Sequence, residues 1–372
     1  MTNRRNHLCW CGSGKKFKKC HWGREKLPSP NPYESGLRYG KLMKPRKCLH
    51  PEASPNECMG GIVKAHSIRR AADLLEIAVD GHVRQITIDM AVAMKTGGKS
   101  ATRLVGVNVA STFTGFCNRH DTTLFAPLET SEFTASDEQC FLLFYRAWSR
   151  EVYAKEGSLA AASVLKESDR GRPPLVQLEM QAFIRQYVAN VALGVRDVRK
   201  YKALLDEALN GRGFAGVRSC AVWFTLALPV VCSGAFYPYW DLQGSRLQTF
   251  SPQKLSDALA VTLLNENGRG CAVLSWVAAH STAAEGFVRS LMREENIADA
   301  LCRTVYSSLD NVYCSPTWWD ALTDEQRSEL TDRASDNARV WEEGDGKFLL
   351  TRGQPLLALE VSSVVNEAVE LS

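Results

Sequence analysis

Residues 9–21 read Cys9-Trp10-Cys11-Gly12-Ser13-Gly14-Lys15-Lys16-Phe17-Lys18-Lys19-Cys20-His21, so four thiol or imidazole groups fall within thirteen residues. So short and lysine-rich a peptide has no hydrophobic core of its own. Gly12 and Gly14 allow the backbone to fold tightly between the Cys9/Cys11 pair and the Cys20/His21 pair. Three sulfurs and one nitrogen suit a closed tetrahedral zinc site, and metal binding then supplies most of the folding free energy of the segment.

The spacing Cys-x-Cys-x8-Cys-His around Gly12-Ser13-Gly14-Lys15-Lys16 resembles the SEC-C zinc motif, over residues 7–23. The resemblance implies that Cys9, Cys11, Cys20 and His21 hold a structural zinc and that the module binds partners. The chain has no P-loop Gly-x-x-x-x-Gly-Lys-Ser/Thr, so an ATPase motor is not supported.

Charge sets the same segment apart. Residues 1–50 carry 13 Lys/Arg against 2 Asp/Glu, a balance of +11 that leaves −7 for the remainder of a chain whose net charge is +4. Such asymmetry points to an anionic partner. Met1 to Leu8 carries charges but no apolar h-region behind them, so no secretory signal is expected, and no run of eighteen apolar residues reads as a membrane span. The expected compartment is therefore a reducing cytoplasm, where clustered Cys and His bind metal rather than form disulfides. Cys140, Cys220, Cys232, Cys271, Cys302 and Cys314 sit in apolar runs without Cys or His neighbours and read as small buried hydrophobes.

A second constellation runs Cys48-Leu49-His50, Cys58, Lys64-Ala65-His66-Ser67-Ile68 and Cys117-Asn118-Arg119-His120-Asp121. The Cys117-x2-His120 step puts two ligands about one helical turn apart, and Cys48 with Cys58 completes a second closed zinc site; His50 is a competing ligand. The order of two ligands, a strand-end Ala-His-Ser-Ile and a ligand-x2-ligand helix start resembles the HNH, or ββα-metal, nucleases. That resemblance implies a zinc-braced treble clef with His66 as general base, Asp121 as ligand of a catalytic Mg²⁺ or Mn²⁺, and Asn108 as the central asparagine. The resemblance also requires an insertion between His66 and Asp121, expected to include the Asp80-Gly81-His82-Val83 hairpin.

The expected fold class is α+β: a SEC-C module at 1–26, a linker at 27–43 whose Pro-rich start, Leu27 to Ser35, cannot be helical, an HNH-like treble clef at 44–130 with Asp80-Gly81 and Gly97-Gly98 turns, a helical segment at 131–212 and a mixed α+β domain at 213–372. Thr134-Ala-Ser-Asp137 reads as a capping box opening the helical hairpin. The functional expectation is a nuclease or nucleic-acid-processing protein, of a kind suited to DNA metabolism or anti-phage defence, with nucleic acid (DNA foremost) as partner. The alternative is a non-enzymatic zinc adaptor that binds a protein or nucleic-acid partner through the SEC-C module. Neither reading involves a membrane.

Overall fold

The computed structural model describes residues 5–87, 101–211, 213–337, 347–350 and 353–366. The expected Gly97-Gly98 turn lies outside these residues. In chain order the fold runs through helix α1 (Pro32–Leu42), the two-residue strand β1 (Ala65–His66), a π-type turn (Arg70–Leu74), strands β2 (His82–Thr87), β3 (Ala101–Gly106) and β4 (Thr112–Phe113), and helix α2 (Asn118–Leu124). Two long helices follow, α3 (Asp137–Leu165) and α4 (Pro174–Gly211). Strands β5 (Val217–Phe224), β6 (Val230–Phe236), β7 (Leu259–Glu266) and β8 (Arg269–Val277) precede helices α5 (Thr282–Met292) and α6 (Ile297–Ser308). Strand β9 (Val312–Cys314), helix α7 (Asp324–Asn337) and strand β10 (Val361–Asn366) complete an α+β protein.

The chain divides into two compact units, each built from two separated stretches: Met1–Arg46 with Val152–Lys200, and Lys47–Glu151 with Tyr201–Ser372. The sequence reading divides the chain into consecutive segments instead.

In the first unit the Cys/His peptide leads into α1, which corrects the expectation that the stretch from Leu27 to Ser35 is non-helical throughout. Pro32 occupies the first helical turn, where its missing N–H costs nothing, and the Asn31 side chain accepts from the amides of Tyr33 and Glu34. The prolines that argued against a helix thus define its start. Gly157 of α3 lies so close to the end of α1 that a Cβ there would stand 2.5 Å from the Met43 carbonyl oxygen.

The second unit is organised by an eight-stranded antiparallel sheet of order β10-β5-β8-β7-β6-β9-β2-β3. The β7–β8 hairpin turns at Asn267-Gly268, both with positive φ, as a tight reversal requires. One sheet face is packed by Ala284, Phe287, Val288 and Leu291 of α5 and Leu301, Cys302 and Val305 of α6, over Val222, Phe224, Leu274 and Trp276. Alternation along β6 sends Val230 and Cys232 into this core and Val231 to the opposite face. There Val231 and Tyr313 join a smaller core with Ile68, Leu74, Ile77, Val83, Val107 and Ala110. The expected insertion between His66 and Asp121 therefore does more than lengthen a loop: β2 and β3 extend the large sheet through the β2–β9 pairing.

The capping box at the start of α3 is offset from the expected position. Ser136 rather than Thr134 caps the helix, its Oγ accepting from the Gln139 amide, while Gln139 Oε1 accepts from the Thr134 amide.

A buried ionic network joins the π-type turn to β7. The Arg69 guanidinium donates to both carboxylate oxygens of Asp73 (Nη2 to Oδ1 2.8 Å, Nε to Oδ2 3.1 Å), to Glu266 and to the Asn265 carbonyl, and the Asn265 amide donates to Asp73 Oδ1 at 3.0 Å. Both side chains of the pair are almost fully enclosed. Removing one partner strands a buried charge, so Asp73→Ala is expected to destabilise the second unit by about 3–5 kcal/mol. Denaturant unfolding of the purified full chain checks this; a loss below about 1 kcal/mol would show that the network contributes little to stability.

Candidate metal centres and the strand-end histidine

The first cluster folds by backbone hydrogen bonds among its own residues. The Cys9 amide donates to the Lys15 carbonyl at 2.7 Å, the Phe17 amide to the His7 carbonyl at 2.8 Å, and the His21 amide to the Phe17 carbonyl at 3.1 Å. Gly12 and Gly14 adopt φ of 75° and 70°, so the turn between the ligand pairs uses the left-handed conformation that glycine permits. His21 Nδ1 lies 3.2 Å from the sulfurs of both Cys9 and Cys20, and the Cys11 and Cys20 sulfurs are 3.5 Å apart. All four ligand atoms lie within 4.8 Å of one another. Tetrahedral zinc with ordinary Zn–S and Zn–N bonds needs ligand–ligand edges of about 3.5–3.8 Å, so this donor set fits that ion.

The second cluster gathers residues from three places in the sequence. Cys117 is the N-cap of α2, with its sulfur facing the His120 amide, and this places His120 in the first turn. Leu49 and Val63 donate to the carbonyls of Gly115 and Phe116 at 2.8 and 3.0 Å, holding the Cys48 and Cys58 segments beside the helix start. His120 Nδ1 lies 3.4, 3.8 and 3.3 Å from the sulfurs of Cys48, Cys58 and Cys117. The four atoms again fall within 4.8 Å of one another. His50 stacks face to face on the His120 ring at 4.0 Å and 3°, and its Nδ1 accepts from the Glu52 amide. Together with Glu52 and His120 it forms a further group of donors within the same span.

Burial pushes the Cys9 thiol up to about 12 and the Cys48 thiol up to about 11. At Cys11 and Cys117 burial also raises the thiol, but hydrogen bonds outweigh it: those from Ser13 at Cys11, those from the His120 and Met59 backbone at Cys117, with neighbouring thiols assisting in both. A cation must therefore displace protons from each cluster, and metal affinity rises with pH.

Two further residues hold the second cluster. Lys202, on α4, donates to the Leu49 carbonyl and the Tyr145 hydroxyl at 2.8 Å each and to Asp206, which fixes the peptide between Cys48 and His50. Gly60 has φ of 74°, and a Cβ there would lie 2.7 Å from Asn118 Cβ. The Gly60-Gly61 pair just behind Cys58 was the visible signal; nothing local marks Lys202.

The residues expected to carry catalysis are arranged less compactly. His66 ends β1, which pairs with β4 in the register Ala65 to Phe113 and His66 to Thr112. Its Nε2 donates to the Val107 carbonyl at 3.2 Å, leaving Nδ1 as the ring's lone pair. Burial holds the imidazole below its ordinary value, with the Val107 hydrogen bond opposing and Arg70 adding to the shift. Asn108, next after Val107, accepts from Arg70 at 2.8 Å and is exposed. Asp121 Oδ1 is buried without a hydrogen-bond partner, and burial raises the carboxyl while Arg146 lowers it. Glu129 and Arg146 act electrostatically on both His66 and Asp121. Among the described residues, no group of three or more metal-ligating side chains includes His66 or Asp121.

Fold and clusters together define an α+β protein with two Cys₃His groups able to hold a metal. Residues 5–23 match the SEC-C motif family, and the chain carries that motif with all four of its Cys and His ligands in place. No curated protein and no solved structure matches the chain. The motif and the clusters support zinc binding. Among the described residues, no helix is long and apolar enough to cross a membrane.

The full chain is expected to retain about two zinc ions, with Cys20→Ser and Cys117→Ser each removing one. Elemental analysis after extensive dialysis reads this directly. Retention of both ions by either variant would remove that cysteine from its ligand set.

Proposed function

We propose that this protein is a zinc-braced, HNH-type nuclease or nucleic-acid-processing protein of the cytoplasm, with His66 as its general base. One observation carries the proposal: the strand-end imidazole is fixed by a backbone carbonyl so that one ring nitrogen is held as donor and the other is left free to accept a proton. The antiparallel β1–β4 pair leading into a helix whose N-cap and first turn supply two of the second cluster's donors supports the same reading. Depression of the His66 value by burial keeps the base neutral at physiological pH, as proton abstraction from water requires.

The fit to a catalytic cation is narrow. Asp121 offers one unpartnered carboxylate oxygen, and Ala65 offers no ligand. Magnesium is commonly held by one or two carboxylates with substrate phosphates and water completing its shell, so Asp121 is the residue that would hold it, and Mg²⁺ or Mn²⁺ would supply charge stabilisation at the scissile phosphate. Arg70 donates to Asn108, the residue after the Val107 carbonyl that accepts from His66; in this reading the pair would contact a phosphodiester, with DNA the favoured substrate and defence against phage a fitting setting.

A second reading, a non-enzymatic adaptor, is favoured by the first unit. Lys15, Lys16, Lys18 and Lys19 are exposed, and Leu8 and Trp22 remain 71% and 51% exposed, a surface suited to an acidic protein or nucleic-acid partner.

Mg²⁺- or Mn²⁺-dependent cleavage of plasmid DNA and of RNA separates the two. The nuclease reading expects cleavage that His66→Ala reduces by about 10²–10⁴-fold with zinc content unchanged. Because the base works only when neutral, activity should fall as pH drops through a value below the ordinary histidine pKa of about 6.5. Absence of cleavage of either substrate by a fully zinc-loaded chain would favour the adaptor, and cleavage indifferent to His66→Ala would remove His66 from the mechanism.

A further inference from the structure

His21 turns one ring nitrogen toward the sulfurs of the SEC-C cluster; the other points away from the motif. Its Nε2 donates to Asp169 Oδ2 at 2.9 Å, across 148 residues of sequence, and both side chains are enclosed. Asp169 lies in the connection between α3 and α4, and its carboxylate is fully buried. Two more donors converge on it: Arg24 Nε at 2.7 Å and Gln181 Nε2 at 2.9 Å.

The contact extends beyond one carboxylate. Arg24 also donates to the Lys166 carbonyl at 2.9 Å, and the Gly171 amide donates to the Arg24 carbonyl at 3.1 Å. Gly171 has φ of 73°, and a Cβ there would come within 2.6 Å of Ser29 Oγ and 2.8 Å of the Leu27 carbonyl. On the motif's other flank, Arg185 of α4 donates to the Trp10 carbonyl at 2.6 Å. Residues 24–29 thus clasp the helical connection, and Asp169 links that clasp to a metal ligand.

We propose that Asp169 is the positioning residue of the SEC-C zinc site and that zinc at this site and the connection between the two long helices form one cooperative unit. A carboxylate accepting from His Nε2 fixes the tautomer and directs the Nδ1 lone pair at the metal. The same carboxylate, buried and charged, is tolerable only while Arg24, Gln181 and His21 all donate to it. Loss of zinc frees His21, removes one of those donors and loosens the connection; loss of Asp169 releases the ring and weakens the site. The SEC-C motif is then a metal-dependent lock on the helical hairpin rather than a tethered arm. This inference requires zinc binding but is independent of any nuclease activity.

The test compares the full-length protein with Asp169→Asn and Gln181→Ala, titrating a competing zinc chelator and following amide hydrogen exchange. In Asp169→Asn, zinc should leave residues 9–21 at about 10–100-fold lower competitor strength, while amides at 48–58 and 117–120 keep wild-type protection. In the wild-type chain, exchange at residues 166–181 should rise in step with zinc loss from residues 9–21. Gln181→Ala, which leaves the carboxylate in place, should shift both readouts in the same direction by less. If Asp169→Asn disrupts the whole fold, seen as lost protection at the second cluster, Gln181→Ala decides alone. Zinc retention within twofold of wild type in the folded variant, or a protected helical connection in wild type after that zinc has left, would overturn the proposal.

Discussion

Three thiols within a few ångströms of one another cannot all become thiolates without a cation among them, and this constraint governs both metal centres. At residues 9–21 there is no apolar core to hold the backbone in place, so the cluster itself must fix it. At Cys48, Cys58, Cys117 and His120 the cluster brings two further segments of the chain to the start of α2. Every functional reading of this chain depends on those two points being held.

The second unit supports its cluster from two directions. From the sheet, Val231 and Tyr313 pack against Ile68 and Val107, and the Tyr313 hydroxyl accepts from the Ser111 amide at 2.7 Å. From the long helices, Lys202 and Tyr145 reach the peptide between Cys48 and His50. The strand-end histidine is held by the Val107 carbonyl and by the pairing of β1 with β4. Such bracing is what a base needs in order to hold a fixed geometry.

Much of this was legible in the residues because it is encoded locally. Cys9 to His21 lies within thirteen positions, and Cys117-x2-His120 spans a single turn, so spacing alone gathers those ligands. The strands holding Cys220 and Cys271 coincide with the apolar runs in which those cysteines read as buried. Legibility failed wherever a residue's role depends on a partner far along the chain. Asp169 lies 148 residues from His21, and Lys202 lies 153 from Leu49; on its own each is an unremarkable charge on or beside a helix. Pro32 misled because proline both forbids a helix interior and favours a helix start, and only the Asn31 cap decides between them. The His82–Thr87 hairpin strand was seen, but its role in extending the large sheet rests on the pairing of Arg84 with Cys314, which no local pattern reveals.

X-ray absorption at the zinc edge of the purified full-length protein tests the central claim most directly, because it reads the donor atoms themselves. The account predicts about three sulfurs near 2.3 Å and one imidazole nitrogen near 2.0 Å per zinc, averaged over two matching sites. A shell dominated by oxygen and nitrogen, or sulfur coordination accounting for only one of the two clusters, would contradict it.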